Sequence, residues 1–158
     1  MGKSSIERGQ FLRFRTVAGV FQSYNVQNFF INKQYTLGGV LFDFAQFYFA
    51  YGRGVIGGSR STTSIAIENN AVTRGIARTA ENLRWMAQVT TVEFDVETRA
   101  VLQTLSSELW RVSRLRGDGA ILSIILKSPL DAVQGNIPRG RLSTYQVGAL
   151  PTSGVVSL

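Results

Sequence analysis

The chain has 158 residues, of which 44% are hydrophobic and 17% are charged, so we expect a folded domain with a buried core, and wholesale disorder is excluded. Seventeen Lys and Arg against ten Asp and Glu give a formal net charge of +7. The sequence has neither His nor Cys, which excludes disulfides, thiolate nucleophiles and metal, haem or iron–sulfur sites built on those residues. We therefore expect no enzymatic activity, no metal site and no cofactor.

The first part of the chain predicts a lead-in and two short strands. Residues 1–10 are expected to form a mobile lead-in. Residues 11–17 alternate between apolar and polar side chains, which predicts a half-exposed strand with two arginines, Arg13 and Arg15, on its outer face. Residues 28–33 form a second short strand candidate.

Phenylalanine is concentrated in the same region, since nine of the ten Phe lie among the first 49 residues. Residues 40–50 are apolar on both faces, so this strand is expected to be covered on both sides. Residues 1–60 carry seven basic and two acidic side chains. Arg and Phe could form a nucleic-acid surface. Alternatively, the Phe fill a sheet core while the Arg occupy its wet face or a subunit contact, which is favoured because no short run is densely basic.

The middle of the chain predicts one strand and one helix. The strand covers Thr62–Glu68, after a glycine-rich loop at residues 52–58. Asn69 or Asn70 can cap the helix that follows, which is predicted over residues 71–87. Its apolar stripe, at spacings of three and four, consists of Val72, Ile76, Ala80, Leu83 and Ala87.

Residues 92–96 predict a further strand, because apolar and acidic side chains alternate along it. Its acidic face, continued by Glu97, is interpreted as solvated, and a weak site for a divalent cation is the alternative. The residues of this face are Glu93, Asp95 and Glu97.

The last predicted elements form a hairpin. Residues 100–116 fit either a helix or a strand, whereas residues 120–127 are rich in Ile and Leu and predict a strand. The glycines at 117 and 119 predict a turn, and a hairpin across it favours a strand for residues 108–115. The fold class is therefore mostly β, a barrel or sandwich of six to eight short strands with one principal helix near residues 71–87.

The segment 126–142 carries the most distinctive pattern. Pro129 ends the preceding strand because it cannot donate a hydrogen bond to the sheet, and Pro138 stiffens the exit toward two further arginines. Residues 143–158 are uncharged and broken by Gly and Pro. We expect them to form an extended C-terminal arm that reaches a neighbouring subunit, since the chain spans up to ~3.5 Å per residue, and a frayed terminus is the alternative.

This segment resembles the minor tail protein L family, the tail-tip or baseplate-hub proteins of long-tailed bacteriophages. That family closes its first domain with a strand running into Ser-Pro-Leu-Asp, followed by a hydrophobic residue, Pro, Arg and Arg. The matching residues are Ser128, Pro129, Leu130, Asp131, Ile137, Pro138 and Arg139. Gly140 stands where the family has its second Arg, and Arg141 follows it.

The resemblance implies a hub-type barrel domain over residues 11–142. Such a domain oligomerises, with a trimeric ring favoured, at the distal end of the tail tube and links it to central spike or fibre components. The implied location is the virion tail, with assembly in the host cytoplasm. The family's iron–sulfur cluster is not expected, because this chain has no Cys. The family-motif residues are expected to make assembly contacts.

Two further expectations concern partners. No membrane contact is expected, because the longest strongly apolar stretch is far shorter than the ~20 residues that cross a bilayer and no signal peptide begins the chain. No nucleic acid is expected as a partner other than DNA passing through the tail. The alternative function is a nucleic-acid-binding or capsid-type protein that uses the Arg- and aromatic-rich first third.

Overall fold

The computed structural model describes residues 5–50 and 62–129, which contain nine strands and one helix. The mostly-β prediction with one principal helix is confirmed. In chain order the elements are β1 (Ile6–Arg15), β2 (Phe21–Gln27), β3 (Tyr35–Leu37), β4 (Val40–Phe44), β5 (Phe47–Phe49), β6 (Thr62–Glu68), α1 (Ala71–Asn82), β7 (Met86–Asp95), β8 (Val101–Asp118) and β9 (Ile121–Lys127).

The nine strands form one sheet whose two sides are joined by a single run of chain, an arrangement that we call a barrel. Its strands pair in the order β3-β4-β2-β1-β7-β8-β9-β6-β5, with only β2 and β4 parallel among the described pairs. One run of chain supplies both β4, which pairs with β2, and β5, which pairs with β6. Between them, the Ala45 N–H donates to the Gln27 carbonyl (3.0 Å) and the Glu68 N–H donates to the Gln46 carbonyl (3.2 Å). The same run thus joins both sides of the sheet.

Inward side chains from seven strands fill this barrel as one apolar cluster. Helix α1 runs from the end of β6 to the start of β7 and adds Ala77 and Ala80 to the cluster. Burial of each large apolar side chain contributes roughly 1.5–3 kcal/mol. The buried strand residues are Leu12, Phe14, Val26, Phe47, Phe49, Ile65, Ile67, Ala87, Val89, Trp110, Val112, Leu122, Ile124 and Leu126.

Two predictions in the first third are wrong in part. Strand β1 begins at Ile6, so residues 6–10 belong to the strand and not to a lead-in. Residues 28–33 are bends and turns, whereas the second strand lies before them as β2. The reason is a side chain rather than local propensity, because the Gln27 amide takes up backbone groups of this loop.

The strand predicted over residues 40–50 is broken, and neither half is covered on both faces. The alternation of buried and exposed side chains changes at the break, Ala45 and Gln46. Even-numbered Phe42 is buried before it, whereas odd-numbered Phe47 and Phe49 are buried after it. The opposite faces are open to solvent, with Leu41 50% exposed and Tyr48 68% exposed.

Helix α1 is shorter than predicted. Asn70 caps it, its side-chain oxygen accepting from the Thr73 N–H (2.9 Å), as expected. The helix ends at Asn82 because Arg84 takes a left-handed backbone conformation (φ 56°). The predicted stripe is right in part, since Ala80 is buried in the core cluster and Ile76 packs against it. Its members Val72 and Leu83 are 65% and 60% exposed, and Ala87 lies in β7, while the buried face consists of Thr73, Ala77 and Ala80.

The remaining predicted strands are present, some with different ends. Thr62–Glu68 is β6 as predicted, whereas the strand predicted over residues 92–96 is the end of a longer strand, β7, which runs from Met86 to Asp95. Of the ambiguous residues 100–116, all but the first lie in β8, which has 18 residues, and the strand predicted over residues 120–127 is β9. Strand β8 pairs with β7 through its first half and with β9 through its second, so one long strand connects two parts of the barrel. Within the described ranges no helix is long and apolar enough to cross a membrane.

Candidate functional site

A second aromatic cluster lies outside the barrel and accounts for much of the phenylalanine in the first third. Phe11 on β1 faces outward and contacts Phe42 (ring centroids 4.8 Å apart), while Phe29 stacks on Phe94 (4.6 Å). The Phe29 ring also packs against the backbone of Gly9, where a Cβ would lie 2.1 Å from its Cδ1 atom. These rings pack on one another, so they are not available for stacking on nucleic-acid bases.

The fully buried Gln27 amide positions the loop that carries two of these rings. Its Nε2 donates to the carbonyls of Phe30 and Lys33, both at 2.9 Å. Its Oε1 accepts from the N–H groups of Phe29 (2.9 Å) and Phe30 (2.8 Å). All four hydrogen-bonding positions of the amide are therefore used, as a buried polar group requires.

A row of three basic side chains and one methionine crosses the outer surface of four neighbouring strands, β1, β7, β8 and β9. Arg15 lies opposite Met86, Met86 lies opposite Arg111, and Arg111 lies opposite Lys127. Directly opposed residues of antiparallel strands project on the same side. That side is the outer one, because the next residue, Ala87, is fully buried in the barrel. We call these four residues the basic row.

A β-bulge extends the positive charge along β8. The register between β8 and β9 shifts between Val112 and Arg114, where Ser113 is the extra residue. The shift places Arg114 on the same side as Arg111 although they are three residues apart, and Arg116 follows two residues later. Together with the outward Arg13 on β1, the basic side chains form a surface that we call the basic face. Its members are Arg13, Arg15, Arg111, Arg114, Arg116 and Lys127.

Few of these charges are compensated. Arg13 donates to the Asn25 side-chain oxygen (3.1 Å), its guanidinium lies over the Phe21 ring (3.7 Å), and burial lowers its pKa. By contrast, the Nε atoms of Arg15 and Arg111 are buried without a hydrogen-bond partner. In the described part of the chain, the one ion pair joins Arg8 to Glu93, remote from this face. The basic row itself contains no carboxylate.

The two uncompensated arginines border a common depression. It has a volume of about 270 Å³ and is lined by Arg15, Val17, Met86, Arg111 and Pro129. The two guanidinium groups provide positive charge, and the three apolar side chains form an apolar wall. The lining contains no carboxylate that could bind a metal cation. The chemistry that fits this depression is an oxyanion attached to an apolar stem.

The structure includes only part of the family motif. Ser128 and Pro129 directly follow β9, and Pro129 lines the depression. The glycine-rich loop at residues 52–58, the rest of the motif and the arm at residues 143–158 lie outside the described residues. The motif residues concerned are Leu130, Asp131, Ile137, Pro138, Arg139, Gly140 and Arg141. The alternation of residues 11–17 predicts Arg15 on an exposed strand face, but nothing in the sequence joins it to Arg111, because only the strand register brings the two together.

The acidic residues near the end of β7 do not form a cation site. Glu93 accepts from the Gln103 amide and from Arg8, and the Gln103 hydrogen bond is the main cause of its lowered pKa. Asp95 accepts from the backbone N–H groups of Glu97 (2.8 Å) and Thr98 (3.0 Å). Throughout residues 5–50 and 62–129, no group of three His, Cys, Asp or Glu side chains is placed to hold a metal ion.

Comparison with known proteins gives no family. The sequence matches no protein-family model and no curated protein, so the resemblance to the minor tail protein L family gains no support from them. A chain from a structure described as "Virion of native gene transfer agent (GTA) particle" matches with 14% identity and a TM-score of 0.49. The match covers 89% of this chain and 45% of that chain, so this chain spans less than half of its length. A likeness of this size carries neither a family nor a function across.

Proposed function

We propose that the protein is a non-catalytic structural component of a bacteriophage-like virion and that it assembles through its basic face. The observation that carries this proposal is the pair Arg15 and Arg111, whose buried Nε atoms lack partners at an open depression. Unpaired buried donors are destabilising in an isolated chain, so an acceptor from outside would stabilise the protein.

Exposed apolar residues beside the basic face support a protein partner. The turn between β1 and β2 carries Val17 and Val20, which are 71% and 61% exposed. A separate groove of about 500 Å³, lined by no residue of the basic face, is bordered in part by Tyr48 (68% exposed) and Ile121 (54% exposed). Apolar patches rimmed by arginine are typical of protein interfaces.

The finer placement within the virion rests on the sequence resemblance. It assigns the protein to a tail tip or baseplate hub, as a ring, with three copies favoured, at the distal end of the tail tube. Its partners there would be identical subunits and the tube, spike or fibre proteins. The protein would be present in the tail of the particle and in the host cytoplasm during assembly.

Immunogold electron microscopy tests this function on particles purified from the host that carries the gene. Label at the distal tip of the tail is the expected result. Label elsewhere on the particle would overturn the tail-tip placement. If the protein were missing from purified particles, by label and by mass spectrometry, the virion function itself would be wrong.

Nucleic-acid binding is the second candidate, and the six cations of the basic face favour it. Phosphate contacts would make affinity for duplex or single-stranded DNA fall steeply between roughly 50 and 200 mM salt. Association between copies of the protein needs no DNA, so it would appear as a larger species in sedimentation of the protein alone. Fluorescence anisotropy of labelled DNA, measured beside sedimentation of the protein alone, separates the two functions.

A further inference from the structure

We propose that the depression between Arg15 and Arg111 is a socket for a carboxylate, supplied by Glu97 of a second copy of this chain. The proposal rests on the assembly function proposed above. It adds the chemistry of the contact, its two partners and its geometry.

The first argument is the charge arrangement within one chain. Arg111 and Lys127 lie directly opposite each other on β8 and β9. Like charges in this position destabilise a sheet. Two strands further along the same row, Arg15 adds a third positive charge, and the described residues of the row offer no carboxylate. An external anion would remove this repulsion and supply acceptors for both buried Nε atoms.

The second argument is shape. Arg15 and Arg111 flank Met86, so their backbones are two strand spacings apart, or about 10 Å. Long side chains on either flank can both reach a carboxylate placed above Met86. The walls contributed by Val17 and Pro129 would contact the methylene groups of a glutamate. A planar carboxylate also matches the fork of a guanidinium.

The third argument favours protein over nucleic acid. The ring beside the socket, Phe21, is covered by the Arg13 guanidinium at 3.7 Å, so a base cannot stack on that face. The neighbouring turn presents Val17, which is 71% exposed, and an apolar side chain in this position suits a protein surface. The local chemistry therefore joins positive charge to apolar contact.

The fourth argument identifies the source of the carboxylate. Strand β7 begins at the socket with Met86 and ends about 30 Å away at Asp95, given about 3.3 Å per residue. Just past that end, Glu97 is exposed in a turn, and no described residue pairs with its carboxylate. Of the other acids at this end, Glu93 is engaged by Arg8 and Asp95 by the turn backbone, while Glu7 lies within strand β1, opposite Phe94, and not in a turn. A contact between opposite ends of two copies is heterologous, and its repetition gives a closed ring or a filament.

Charge exchange on the full-length chain tests this contact, with sedimentation velocity and native mass spectrometry as readouts. Arg15→Glu combined with Arg111→Glu, and separately Glu97→Arg, should each raise the dissociation constant between copies about thirtyfold or more. The variant that carries all three substitutions should assemble again, because the charges are complementary once more. Arg78→Glu, on an exposed position of α1, is the control and should assemble like the wild type. Far-UV circular dichroism and thermal unfolding establish that every variant is folded.

Three results would overturn the socket. One is a wild-type chain that stays monomeric at every concentration. Another is a triple variant that is folded but does not regain assembly. The third is a socket variant that assembles normally and loses affinity for DNA, which would assign the arginines to phosphate. Immunogold labelling of particles does not depend on any of these three results. It can therefore support the virion function when the socket proposal is wrong, and it can contradict the virion function when the socket proposal is right.

Discussion

Replacement of Gln27 by leucine should unfold the loop that builds the outer aromatic cluster. Leucine has a similar size and keeps the packing, but it removes a side chain that makes four hydrogen bonds to the backbone of residues 29, 30 and 33. Those backbone groups then have no partner unless the loop opens to water. The loop carries Phe29 and Phe30, so its opening would also separate their rings from Phe94.

The expected loss follows from these four bonds. Each hydrogen bond contributes about 0.5–1.5 kcal/mol net, so removal of four gives about 2–6 kcal/mol. Partial hydration of the half-exposed loop favours the lower half of that range. A loss of about 3 kcal/mol corresponds to a fall in Tm of roughly 6–12 °C for a domain of this size. Gln88→Leu is the control. Gln88 is half-exposed and makes one side-chain bond, to Ser107, so its replacement should stay within about 0.5 kcal/mol of the wild type.

Urea denaturation followed by near-UV circular dichroism measures both the free energy of unfolding and the packing of the rings. Gln27→Glu adds a second readout. Its carboxylate would face the carbonyls of Phe30 and Lys33, which raises its pKa in the folded state above the unfolded value. The variant should therefore be least stable at neutral pH and recover as the pH falls and the carboxyl becomes protonated. A Gln27→Leu protein as stable as the wild type, with an unchanged near-UV spectrum, would refute this account of the loop.

Three single contacts give further expectations. Asn70→Ala removes the helix cap and should lower the free energy of unfolding by about 1 kcal/mol in urea; an unchanged value would mean that the cap is dispensable. Gly9→Ala adds a methyl group that overlaps the Phe29 ring and should lower the free energy of unfolding by about 1–3 kcal/mol. Gly75→Ala, with no atom within 4 Å of the new Cβ, should raise it by about 0.5–1 kcal/mol. If both variants changed the stability in the same direction, this account of the two glycines would be wrong. The Gln103 hydrogen bond is the main cause of the lowered pKa of Glu93 in the folded protein. The resulting stabilisation is present above the pKa of the unfolded state and is lost as the pH falls through the pKa of the folded state, so Glu93→Gln should flatten the acid side of the stability–pH curve. Parallel curves for the variant and the wild type would argue against this effect.

The elements that could be predicted are those whose pattern is local. Strand β6 alternates cleanly and was predicted with its observed bounds, and the cap of α1 follows from an asparagine in front of an amphipathic stretch. The end of the helix was not predictable in the same way. Residues 83–87 continue an apolar spacing that suits a helix, but the left-handed backbone at Arg84 ends it and turns the chain into β7.

The candidate site could not be predicted because it depends on register. Arg15 and Arg111 are 96 positions apart, and they become neighbours only because both lie opposite Met86. The loop at residues 28–33 shows the same limit at short range. Its sequence is rich in strand-forming residues, yet the buried amide of Gln27 takes the backbone groups that a strand would pair with a neighbour.

The position of the basic face follows from how the side chains of the sheet are packed. Inward side chains form one continuous apolar cluster, and the outward side of β1 and β7 is covered by the second cluster around Phe11. This second cluster does not include Arg15 or Met86, so it leaves the outward surface that carries the basic row uncovered. A single extra residue, Ser113, keeps Arg114 on that surface, since without the bulge every residue beyond it would face the other side of the sheet. The irregularity in β8 thus maintains a concentration of charge that the isolated fold does not need, which is the arrangement expected of a surface that meets a partner.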